Sequence, residues 1–151
     1  MNSSMLLLSR VLLWIASLSH IVIGGGIMLS PEFQRTMASF YGAEVDWTPQ
    51  FVYILRPLGA FMFMFGLLLA VAAVEPWKHR LIVYGLCGVL LLRVVQRLAL
   101  QQDIESAFHV SASRNLGMAA LFLIEAIAIL VLLHGSRKST APDAVVTRPL
   151  T

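Results

Sequence analysis

Charge is scarce in this chain. Only 13% of its 151 residues are Asp, Glu, Lys or Arg, about half the roughly 25% usual in a soluble domain. Cysteine is scarcer: Cys87 stands alone, so an internal disulfide is excluded and the redox compartment is left open. Of the histidines only His20 lies deep in an apolar run, which argues against a haem held between two facing histidines. No His/Cys/Glu group has ligand spacing, so neither a metal nor another cofactor is expected. No Ser/His/Asp arrangement for nucleophilic catalysis is legible, and no internal repeat suggests the paired halves of a transporter. The sequence pI near 9.5 hints at nucleic acid, but net charge is only +3, and membrane topology explains the basic residues better.

Long apolar runs are what the chain does have. Hydrophobic residues make up 58%, too many for a soluble fold of this size to bury. They fall into four blocks, Val11–Leu29, Phe51–Val74, Leu81–Leu100 and Leu116–Leu133. Each approaches the roughly 20 residues a helix needs to cross a bilayer core of about 30 Å. The first block follows Arg10 but has no clean small-x-small cleavage site and continues to Leu29, so it reads as a retained helix. The expected fold is all-α: a four-transmembrane-helix bundle over residues 1–135, with a disordered cytoplasmic tail over 136–151.

The connections carry the topology. Arg10, the "EPWKHR" turn at Glu75–Arg80, Arg137, Lys138 and Arg148 share one side. The opposite loops hold Arg35 but also Glu32, Glu44, Asp46, Asp103 and Glu105. The Lys/Arg excess predicts cytoplasmic termini in a multi-pass membrane protein. Between the first two spans, "SPEFQRTMASFYG" offers Ser30 as N-cap, Pro31 at the first helical position and Gly42 as a stop. Phe33, Met37 and Phe40 or Tyr41 recur at helical spacing, which predicts a short amphipathic interfacial helix, either a cap on the bundle or a mobile gate.

Polar and small residues form one stripe per span. Ser17, His20 and Gly24 align in the first; Arg56, Gly59 or Ala60, Phe63, Gly66 and Ala70 in the second; Arg93 and Arg97 in the third; Arg114 and Glu125 in the fourth. Such stripes meet inside a membrane bundle. Glu125 is the one acid deep in a span and Arg93 the deepest base, so an intramembrane ion pair of the two, with His20 beside it, is expected. Arg56, Arg97 and Arg114 lie nearer the other interface. They either hold that end together with loop acids or form a pocket for an anionic headgroup or carboxylate.

The ordered run "GGGIMLSPEF", the amphipathic segment, "YILRPLGAFMFMFGLLLAVAA" and two compact later spans resemble small bacterial four-helix membrane proteins, the DoxX-like and domain-of-unknown-function families. The R-x-x-G pattern of Arg56 to Gly59 is also similar to a segment of the sterol-biosynthesis scaffold protein. Both resemblances imply a helper, since DoxX-like proteins act as accessory subunits of quinone-linked oxidoreductases and the scaffold tethers enzymes. The first expectation is therefore a non-catalytic membrane scaffold or accessory subunit, working with a membrane protein partner or a second copy through a strip such as Phe61–Phe65. The alternative is a binder of a lipid, a quinone-like molecule or another lipophilic anion. A small lipid-modifying enzyme using Glu125 and His20 for proton transfer ranks last.

Overall fold

The computed structural model describes residues 3–137, and among them every regular element is a helix. In chain order they are α1 (Ser3–Leu29), α2 (Pro31–Tyr41), α3 (Pro49–Val74), α4 (Arg80–Ala99), α5 (Gln101–Phe108) and α6 (Ala112–Arg137). Four of them, over Ser4–Leu29, Pro49–Val74, Arg80–Ala99 and Ala112–Ser136, are long and apolar enough to cross a membrane. The chain is an all-α, multi-pass membrane protein. At about 1.5 Å per residue, the 26 residues of α3 or α6 run to about 39 Å, longer than the roughly 30 Å hydrocarbon layer, so their ends reach the interfaces.

Exposure supports the same reading. Phe61 is 75% exposed and Leu81 80%, as lipid-facing side chains are and core side chains are not. The helices pack as an up-and-down bundle. The end that holds the start of α1, the end of α6 and the turn at 75–79 is the termini end. The opposite end, with α2 and α5, is the distal end. The turn at the termini end is fastened by Trp77, whose indole N–H donates to Ser136 Oγ at 2.8 Å.

The hydrophobic core lies almost wholly in the termini half. It is built from Leu13 and Ala16 of α1, Leu69, Ala72 and Ala73 of α3, Val83, Leu86, Cys87 and Leu90 of α4, and Phe122, Ala126, Ile129 and Leu133 of α6. The distal half is held by different means. Along α1 and α3 the backbones nearly touch: a β-carbon on Gly24 would come within 2.7 Å of the Gly59 carbonyl oxygen, and one on Gly66 within 2.8 Å of the Ile21 nitrogen. Ser17 Oγ donates to the Gly66 carbonyl at 2.8 Å across the same seam. Small residues permit this approach, which is how helices associate where lipid removes the hydrophobic drive.

The caps of α2 match their sequence signals. Ser30 Oγ accepts from the Phe33 N–H at 3.2 Å, Pro31 opens the helix, and Gly42 at φ 70° ends it. Two elements differ from expectation. The stretch 101–109, which reads as a plain connection, contains α5. Residues 136 and 137, expected in the tail, belong to α6, and Ser136 is 2% exposed. The remainder of that tail, 138–151, lies outside the described residues.

Candidate functional site

Immediately distal to the core, α4 turns two arginines toward the space under α2 and α5. A cavity of about 390 Å³ opens there, with Arg93, Gln96 and Arg97 on one wall and, on another, Tyr41 at the end of α2 and Ala43 just beyond its cap. Leu100, Ile104, Phe108 and Val110 supply apolar surface. The cavity is therefore two-natured, cationic at the bundle and greasy toward the distal surface.

Both arginines rest on one ring. The Arg93 guanidinium carbon sits 4.7 Å from the centre of Phe122, and that of Arg97 sits 5.8 Å from the same centre. Arg97 is also 5.8 Å from the Tyr41 ring. Such contacts supply about 0.5–2 kcal/mol each without neutralising the charge. Among the described residues no carboxylate oxygen lies within 4.0 Å of either guanidinium. Two like charges one helical turn apart repel each other, and an apolar setting sharpens the repulsion.

Arg97 has a partner of another kind. Its Nη1 donates to Asn115 Oδ1 at 2.7 Å, and Asn115 Nδ2 donates back to the Arg97 carbonyl at 2.8 Å. That carbonyl belongs to the last turn of α4, where helix carbonyls have no intrahelical donor. Asn115 is 1% exposed in the first turn of α6, so the pair ties the distal ends of two spans together.

The three-arginine cluster expected from the sequence is not what forms. Arg97 lines the cavity, but Arg93 joins it there, in place of Arg56 and Arg114. Arg56 is exposed on the outer face of α3. Arg114 lies against Gly42, occupying the space a β-carbon there would need. The cause is rotational: residues 93 and 97 share a face of α4, whereas Arg56 points away from the α1–α3 seam.

The close Arg93–Glu125 ion pair is not formed either. Glu125 is half-buried, and neither His20 nor Arg93 makes a nitrogen–oxygen contact with it within 4.0 Å. Arg93 is drawn to Phe122, one turn distal of Glu125 on α6. His20 Nδ1 donates to the Ala16 carbonyl at 2.8 Å, which fixes a proton on that nitrogen, and its ring meets Phe65 edge-on at 5.6 Å.

Two residues that matter here carry little sequence signal. Asn115 is one, because an Asn near a helix start looks like a cap. Gln34 is 3% exposed and donates through Nε2 to the Ile27 carbonyl at 2.7 Å and the Val52 carbonyl at 3.3 Å, joining α2 to α1 and α3. It sits on the buried face beside Phe33 and Met37, a face the apolar spacing does mark. The "FMFMF" strip divides: Phe61 and Met64 face outward, while Phe63 packs over Gly25 and Phe65 against the core.

The cavity mouth is crossed by the Glu44 N–H bonded to the Phe108 carbonyl at 2.8 Å. His109 Nδ1 and Glu44 Oε2 stand 4.0 Å apart, both largely exposed, a pairing worth little by itself. His109 holds φ 54°, a left-handed conformation uncommon outside glycine, and this lets the chain reverse from α5 into α6. Among the described residues no three metal-binding side chains converge. Comparison with protein-family models, with curated proteins and with solved structures gives no match.

Proposed function

We propose that this protein binds the anionic head of an amphipathic small molecule at the distal end of its membrane bundle, without catalysing a reaction. One observation carries the reading. Arg93 and Arg97 share a ring platform and a cavity, and among the described residues no carboxylate is in contact with either. Holding such charges in a membrane costs several kcal/mol unless an anion compensates them. The neighbouring Leu100, Ile104 and Phe108 suit an apolar tail, so a lipid or a quinone-like acid fits better than a small hydrophilic anion.

The scaffold or accessory-subunit reading has less support, because Phe63 and Phe65 of its proposed docking strip face inward. An enzymatic role for Glu125 and His20 has less still, since the two make no direct contact. We place the termini end in the cytoplasm of a bacterial inner membrane, because Arg10, Lys78 and Arg80 gather there. Kinship with DoxX-like proteins is proposed on the order of the segments.

Native mass spectrometry of the gently extracted protein tests the binding reading. The wild type should carry an amphiphile, or take up added phosphatidic acid, and Arg93→Gln and Arg97→Gln should each lower that affinity at least about tenfold, or 1.4 kcal/mol. Equal binding by wild type and both variants would sink it.

A further inference from the structure

We infer that Asn115 is the positioning residue of this cavity, holding Arg97 in place without neutralising it; the inference rests on the anion-binding reading above. Asn115 does not line the cavity. It stands behind it, almost fully buried, with both ends of its amide committed to Arg97. The Oδ1 contact at 2.7 Å takes one guanidinium N–H, and the Nδ2 contact at 2.8 Å grips the Arg97 backbone. A guanidinium has five N–H donors in a rigid plane, so fixing one from behind orients the other four. An arginine ordered in advance loses less rotamer freedom when a ligand arrives.

The choice of amide matters as much as its place. An aspartate here would make the same oxygen contact with Arg97 and serve as its internal counter-ion. Asparagine accepts the same hydrogen bond and leaves the positive charge to be met from the cavity. Arg93 has a comparable arrangement, supported on the Phe122 face with no carboxylate among the described residues in contact.

The test titrates dioleoyl phosphatidic acid and dioleoyl phosphatidylcholine into the full-length protein in nonionic detergent, read by native mass spectrometry, with thermal unfolding in parallel. The wild type should favour phosphatidic acid. Asn115→Asp should lower that affinity at least about tenfold and leave phosphatidylcholine unchanged, with a lower unfolding midpoint because its second oxygen faces the Arg97 carbonyl that Nδ2 now holds. Asn115→Ala should narrow the preference by a smaller factor, and carries the test alone if Asn115→Asp fails to fold. Equal loss for both lipids would mark Asn115 as structural only. An unchanged preference in both variants would overturn its role while leaving the cavity reading in place. A wild type with no preference for the anion would overturn the cavity reading and this inference with it.

Discussion

Arg97 is tolerable inside an apolar span because of a residue 18 positions away, not because of an acid. Removing it as Arg97→Leu leaves Asn115 Oδ1 buried without its donor, while Nδ2 keeps the carbonyl of residue 97, and the stranded oxygen costs about 1–3 kcal/mol. The double variant with Asn115→Leu should lose less than the two single losses summed. In double-mutant cycles of unfolding, the Arg97–Asn115 coupling should exceed that of Arg93 and Glu125, which make no direct contact. Equal couplings would contradict the geometry. A second residue-scale prediction concerns the turn at the termini end. Glu75 Oε2 lies 3.0 Å from Lys78 Nζ, and this hydrogen bond, with the Lys78 charge, holds the Glu75 carboxyl below the usual carboxylate range. A depressed carboxylate stabilises above its unfolded pKa, and the gain is lost as pH falls through the folded value. The group is fully exposed, so Lys78→Met should return Glu75 to its ordinary titration range without a measurable change in unfolding midpoint. Titration followed by NMR, beside a thermal melt, checks both halves.

Among the elements, α1 and α3 depend on glycine against opposing backbone, where α4 and α6 do not. Gly24→Leu, Gly59→Leu and Gly66→Leu each force a side chain into opposing backbone, and each should destabilise by about 1–3 kcal/mol or more. A β-carbon at Gly85, Gly88 or Gly117 would meet nothing within 4 Å, so Gly85→Leu and Gly117→Leu should be near neutral in the same detergent unfolding assay. Losses as large at Gly85 as at Gly59 would contradict close approach as the reason for glycine at the seam, since helix propensity alone favours leucine at both. Gln34 is the other fastening between elements. The Ile27 carbonyl it receives belongs to the last turn of α1, where intrahelical donors have run out. Gln34→Leu keeps the volume but strands that carbonyl, for a cost of about 1–2 kcal/mol.

For the molecule as a whole, the division into halves decides what is possible where. The sealed core fills the interior of the termini half, and the cavity of about 280 Å³ at that end, lined by Leu6, Arg10, Glu75, Pro76, Trp77 and Lys78, lies outside it at the turn. The distal half, joined through glycines, Gln34 and the Arg97–Asn115 pair, leaves room for the cavity beside Arg93 and Arg97. Topology follows from charge: the termini should face the cytoplasm and the loop at 42–48 the opposite side. Reporter fusions at the C-terminus and within that loop measure this, and a cytoplasmic loop would refute it.

The four spans, the α2 helix with its Ser30 and Gly42 caps, and the small-residue stripes were legible in one dimension, because each depends on signals lying within a few residues of one another. Run length decides whether a helix can cross lipid, and cap chemistry acts within a turn. The stripe of Ser17 and Gly24 could be seen to want a partner, and Gly59 and Gly66 to be candidates for it. The site was not legible in that way. Depth along a helix follows from counting, but the direction a side chain faces across the bundle depends on how each helix is rotated against its neighbours. That rotation turned Arg56 to the exterior, set Arg114 against Gly42, and drew Arg93 to Phe122 and away from Glu125. It also matched Arg97 to Asn115, whose role has no trace in local pattern. Packing of four helices at once selects those partners, and no single segment contains the information to choose them.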